Sequence, residues 1–109
     1  ADPYQIPVPL DSQGNTVAWT VNRVIARVVT PSSGTTSFQV ESSSASGAFS
    51  GSNVLNSALS ISGSGTYEAS TTSFAQTTLN SGDKVRINFS AVSAVHAGFV
   101  IMLELGLVT

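Results

Sequence analysis

Few residues in this chain could do chemistry, and their spacing decides what kind. There is one histidine, His96, in the small-residue link Ala94-Val95-His96-Ala97-Gly98. Nucleophilic hydrolysis sets a base beside an activated hydroxyl or thiol, and a metal site gathers several ligands. One imidazole among small residues does neither by itself, so His96 reads as a loop or interface residue. Only a symmetric trimer, with three copies near the axis, would let it hold an ion. The six acids are Asp2, Asp11, Glu41, Glu68, Asp83 and Glu104. They form no closely spaced calcium loop, and their spacing sets up no facing carboxyl pair for glycoside hydrolysis. Cysteine is absent, which excludes disulfides, thiolate metal sites and thiol nucleophiles. Gly63-Ser64-Gly65 lacks the lysine and the strand-to-helix setting of a phosphate loop. No catalytic, metal or cofactor site is expected, and the chain reads as non-enzymatic.

The remaining charges have structural readings. Asp83 follows Gly82 and reads as a turn residue. Glu104 stands in an apolar run, where an unpaired charge is costly, so Arg23, Arg27 or Arg86 is its expected partner. Arg23 and Arg27 are four apart, on one face of a strand. Without interleaved aromatics they make no nucleic-acid surface, and they read as ion pairs with Glu41, Glu104 or a partner chain. Trp19, Tyr4 and Tyr67 read as packing residues in a core or interface, ahead of sugar stacking.

Composition narrows the class further. A formal net charge of −2 gives no electrostatic drive toward nucleic acid or an anionic membrane. Only 9% of residues are charged while 41% are hydrophobic, so little repulsion opposes association. Ser and Thr, roughly a quarter of the chain against a much lower average usage, carry the solubility instead. No apolar run is long enough for a membrane-spanning helix. The start, Ala1-Asp2-Pro3, shows no basic-then-apolar leader. It fits a trimmed initiator Met or a mature or cloned N-terminus.

These residues must be positioned by strands. Residues 1–16 read as an extended arm, because Pro3, Pro7 and Pro9 fix φ and withhold amide donors. Tyr4, Ile6, Val8 and Leu10 alternate along it, so the arm is either a sheet edge or a strap on a neighbour. As a strap it would add little to its own domain's core. Asp11 to Asn15 is a turn. Residues 17–109 form one β-domain. Val17–Thr30 is a long β-branched strand, with a kink expected near Asn22 or Arg23 where the alternation changes phase. Pro31-Ser32-Ser33-Gly34 turns it toward a second strand at Thr35–Glu41, with Phe38 and Val40 inward, and the two read as a hairpin. A Ser/Gly loop follows, then a strand around Ala58–Ser62 that one helical turn could precede, and one or two short strands in Thr66–Thr78 anchored by Tyr67, Ala69 and Phe74. Lys84–Phe89 alternates strictly, with Val85, Ile87 and Phe89 on one face. Phe99–Leu105 is apolar on both faces. Phe99, Ile101, Leu103 and Leu105 share one; Val100 and Met102 share the other, with Glu104 following them. The expected core is Val24, Phe38, Val40, Leu59, Val85, Ile87, Phe89, Phe99, Ile101 and Leu103. The pattern predicts an all-β antiparallel sandwich, jelly-roll-like, with a Pro-rich N-terminal arm.

The run Leu79-Asn80-Ser81-Gly82-Asp83-Lys84-Val85-Arg86-Ile87-Asn88, with Val54-Leu55-Asn56-Ser57-Ala58-Leu59-Ser60-Ile61 before it and Ala97-Gly98-Phe99-Val100-Ile101-Met102-Leu103 after it, resembles the small β-sandwich structural modules of tailed bacteriophages. The resemblance covers roughly residues 20–105. It departs at Glu41-Ser42-Ser43-Ser44, where such modules often carry a Lys-Asn-Gly hairpin. It implies a virion protein: a capsid decoration (cement) protein on the capsid surface or a tail-fibre module. The chain reads as complete, which favours decoration over a tip cut from a longer fibre. The expected partners are the chain itself, as a homotrimer, and a major capsid or other virion protein, with no nucleic acid and no membrane. The expected partner-facing residues are Tyr4, Ile6, Val8, Leu10, Val100, Met102 and Glu104. A carbohydrate-binding or adhesion module is the alternative.

Overall fold

The computed structural model describes residues 5–30, 34–49, 52–62, 67–91 and 98–107. Tyr4, His96 and the expected turn residues 31–33 and 63–65 lie outside these. Among the described residues eight strands form: β1 (Gln5–Pro7), β2 (Ala18–Arg27), β3 (Thr35–Ser43), β4 (Leu59–Ser62), β5 (Glu68–Thr71), β6 (Thr78–Asn80), β7 (Lys84–Ala91) and β8 (Val100–Leu107). Among the described residues there is no helix, and all the strand pairs are antiparallel. The strands make two sheets packed face to face. One has the order β1-β7-β3-β4. In the other, β2 is central: β8 runs along one side, while β5 and β6 share the opposite side, β5 against Val24–Arg27 and β6 against Ala18–Thr20.

Side-chain alternation explains why the sheets face each other. Val85 and Ile87 of β7 are buried, as are Thr36, Phe38 and Val40 of β3 and Val24 and Ala26 of β2, with Val28 just beyond it. Phe89 and Phe99 are half-buried against this core, with Leu59, Ile101 and Leu103. Three rings tie the sheets together. Phe38 and Phe89 lie 6.0 Å apart at a tilt of 57°, and Phe99 meets Phe89 edge-on at 6.0 Å and 85°. These are the geometries that ring quadrupoles favour. The expected phase change in β2 is a bulge. Val21 pairs with Leu105 and Arg23 with Glu104, so Asn22 is the extra residue.

The expected hairpin of β2 with β3 does not form. The two strands lie in different sheets, their apolar rows facing across the core instead of standing side by side. Side-by-side pairing would leave both rows needing cover; placing one over the other buries both. The partners of β3 are β7 and β4. No helical turn precedes β4 either. Val54 and Leu55 are fully buried, and their backbone is spent on bridging the sheets. The Val54 amide donates to Val40 O at 2.7 Å, and Val54 O accepts from the Ala75 amide at 2.8 Å. Thr77 O then accepts from the Val21 amide at 2.9 Å. Hydrogen bonding thus continues from β3 round to β2 and seals that side of the sandwich. Tyr67, an expected anchor, is 58% exposed; Ala69 and Phe74 do pack on the core.

The N-terminal segment is an edge strand of its own domain. Gln5, Ile6 and Pro7 pair with Arg86, Val85 and Lys84. The Val8 amide donates to Asp83 O at 2.8 Å, and Val8 O accepts from the Gly82 amide at 3.2 Å. Gly82 sits at φ +87°, in the left-handed region that this turn requires. Pro9 O accepts from Trp19 Nε1 at 2.8 Å and from Ser81 Oγ at 2.7 Å. Val8, expected to face a partner, is 4% exposed and belongs to the core. The alternation was read correctly but its apolar side faces inward, because Ile6 stands opposite inward-facing Val85.

Candidate functional site

One side of the sandwich is sealed and the other is open. Among the described residues, β1 forms the edge of one sheet at the open side and β8 the edge of the other. Between them lies an apolar cleft of about 180 Å³, with Ile6, Val8 and Val85 on one wall and Ile101, Leu103 and Leu105 on the other. Ile6 stands at its rim and is 52% exposed.

β8 is the element that gives this side its character. Its residues alternate as the sequence predicts: Ile101, Leu103 and Leu105 turn toward the core, while Val100, Met102 and Glu104 stand on the outer face. Val100 is 51% exposed and Met102 42%. The cross-strand partner of Met102 is Ile25, and that of Val100 is Arg27. Ion pairs flank this apolar strip. Arg23 reaches Glu104 at 3.0 Å, which settles the expected partner of Glu104, and Arg27 reaches Glu68 at 2.6 Å. Leu107, which sequence reasoning did not single out, adds a further exposed side chain.

Among the described residues no strand pairs with β8 on the side away from β2. A bare strand edge is a template for further pairing, and proteins usually blunt it with proline, lysine or a bulge. β1 carries Pro7 and is followed by Pro9. β8 contains neither proline nor lysine, and its one charge is neutralised by Arg23. The other expected partner-facing residues divide: Leu10 is exposed, Ile6 is at the cleft rim, Val8 is buried, and Tyr4 lies outside the described residues.

A second cluster lies on the outer face of the other sheet. Glu41 is only 3% exposed although it points away from the core. Arg86, its cross-strand neighbour, clasps it with two hydrogen bonds of 3.2 Å, Nε to Oε2 and a terminal amino group to Oε1. The Phe49 ring packs beside this pair, with the Arg86 guanidinium 4.6 Å from its centroid and Lys84 Nζ 5.2 Å from it. Next to it an open groove of about 370 Å³ is lined by Gln5, Ala45, Asp83 and Lys84, among others. Alternation along β3 places Glu41 outward, and a β3–β7 pairing would have matched it to Arg86. The covering role of Phe49, alone in a Ser/Gly loop, had no periodic signal.

Chemically, β8 can offer backbone donors and acceptors together with an apolar strip, which suits contact with another protein. Asp11 is occupied in its turn, its Oδ1 accepting from the Gln13 and Asn15 amides at 2.9 and 2.8 Å. Among the described residues no group of His, Asp or Glu side chains could hold a metal ion. No family model, no curated protein and no solved structure matches the chain.

Proposed function

We propose that this chain is a non-enzymatic structural protein of a virion, a capsid decoration protein that holds a phage head through protein contacts. The observation that carries the reading is β8, an edge strand left bare among the described residues, whose outer face exposes Val100 and Met102. Scattered single apolar side chains are ordinary on a surface, whereas a row of them beside an unpaired edge marks a contact site. The resemblance of Leu79–Asn88 and its flanking runs to phage modules supplies the virion, and an all-β sandwich agrees with it. The chain's partners on this reading are a major capsid or other virion protein and further copies of itself.

Sedimentation tests it. Purified protein is mixed separately with undecorated heads and with tails of the parent phage, then pelleted. Co-sedimentation with heads at a fixed number of copies per capsid is the expected result. Binding to tails alone would overturn decoration in favour of a fibre role. The groove beside Phe49 favours a second reading, a receptor- or carbohydrate-binding module, because it combines amide, carboxylate and ammonium groups near an aromatic ring. Saturable binding of an oligosaccharide, lost in Lys84→Ala, would select that reading.

A further inference from the structure

We propose that β8 pairs with β8 of a second copy, antiparallel across a two-fold axis at Met102, so that the two sandwiches share one continuous sheet. This deepens the proposed role by naming the occupant of β8, and it rests on the reading of β8 as a contact strand.

Three observations converge on this occupant. The first is register. Half-buried and exposed side chains alternate without a break from Phe99 to Leu105, and the pattern ends at Gly106, which is half-buried like Leu105. Antiparallel self-pairing must set inward residues against inward ones, since a slip of one residue turns the apolar row to the wrong face. The regular window is symmetric about Met102. Pairing about that residue sets Ile101 against the second copy's Leu103 and Phe99 against its Leu105. Pairing about Glu104 would set two like charges directly opposite, which is destabilising.

The second is charge. Along β2 and its neighbours, Glu68 joins Arg27 beside Val100, and Arg23 joins Glu104. With Met102 on the axis, Glu104 falls opposite the second copy's Val100, and the second copy's Arg27 stands next in line. The order across the joined sheet becomes Arg23, Glu104, the second copy's Val100, its Arg27, its Glu68. The signs alternate along this row, with neutral Val100 between Glu104 and Arg27 and no like charges adjacent, on a face that is self-complementary, as a two-fold contact demands. The third is cover. The cleft of about 180 Å³ opens beside β8, where Ile6 is 52% exposed. The second copy's inward row would continue the floor of that cleft, and the second copy would close its mouth.

A two-fold contact of one strand with itself closes at two chains, where a trimer would have to join β8 to a different surface. Light scattering after size exclusion should therefore give two chains per particle at micromolar concentration, falling to one in Met102→Lys with an unchanged circular dichroism spectrum. Because the chain has no cysteine, Met102→Cys gives a second, register-specific readout. Directly opposed Cα atoms lie about 4.5–5.5 Å apart, within the span a disulfide bridges, so oxidation should link nearly all chains in pairs. Val100→Cys should not link, since its two copies would be offset by roughly 13 Å along the strands. A wild type of one or three chains, a Met102→Lys that stays paired, or equal linking at both positions overturns the proposal. So does a wild-type monomer that takes up an extended peptide at β8. Failure of the decoration reading is separate: pairs that form but do not bind heads would sink that reading and leave this one standing.

Discussion

Glu41 is a buried carboxylate held by one ion pair. A carboxylate that is 3% exposed has lost most of its water, and the fork of Arg86 replaces it. Removing one member of such a pair strands the other. Arg86→Met should therefore lower stability in urea unfolding by about 3–5 kcal/mol. The surface pair Arg27–Glu68, with both side chains at least half exposed, behaves differently, and Arg27→Ala should cost no more than about 1 kcal/mol in the same measurement. The contrast shows what a sequence reveals at this scale. Alternation in β3 put Phe38 and Val40 inward and left Glu41 on the wet face, which is correct as a direction. What keeps water from Glu41 is Arg86 and the Phe49 loop, and loop cover leaves no periodic trace. Glu104 was easier to read, because a charge in an apolar strand demands a partner and few cations exist to supply it.

At the scale of elements, β1 is short but well anchored. Deleting residues 1–10 removes the pairing with β7, uncovers the space filled by Val8, and takes away the carbonyl that accepts from Trp19 Nε1. Burial of a valine contributes about 1.5–3 kcal/mol and the indole hydrogen bond about 1 kcal/mol. The truncated chain should unfold at clearly lower urea, with the Trp19 emission of its folded state changed. An unchanged midpoint would mean that β1 is dispensable to the fold. Gly98 is the second pivotal point. It has φ +74°, and a Cβ built there would lie 2.7 Å from Val29 Cβ. Gly82 is also left-handed, yet its Cβ position is open. Gly98→Ala should therefore destabilise more than Gly82→Ala, whose cost is about 1–2 kcal/mol for the backbone alone. The strands β7 and β8 were legible because their alternation is strict. Their neighbours were not. A turn signal such as Pro31-Ser32-Ser33-Gly34 announces that the chain reverses, and says nothing about whether the next strand lies beside the last or across the core from it.

Across the whole molecule, the all-β class followed from β-branched runs broken by Gly and Ser, and the core was legible where both sheets contribute alternating residues. Val21, Leu55, Ile61 and Leu79 were not anticipated, since each sits in a segment too short or too irregular to show a period. The open side was legible only in half: Val100 and Met102 are exposed as their parity requires, but that β8 is an edge depends on the strand order. Phe38 is fully buried and packs its ring against Phe89, so Phe38→Ala should lose about 3–5 kcal/mol in urea unfolding.

The pairing of β2 with β8 carries a consequence for how the molecule is made. Arg23 and Glu104 are 81 residues apart. A ribosome adding about 5–20 residues per second leaves the nascent β2 without its long neighbour for roughly 4–16 s, and longer while the exit tunnel still holds β8. Through that interval the emerging chain can assemble β3 with β4, but the apolar flank of β2 stays open to whatever it meets. The sandwich therefore cannot close before β8 has emerged, and the yield of folded protein in a cell depends on how well that waiting strand is shielded.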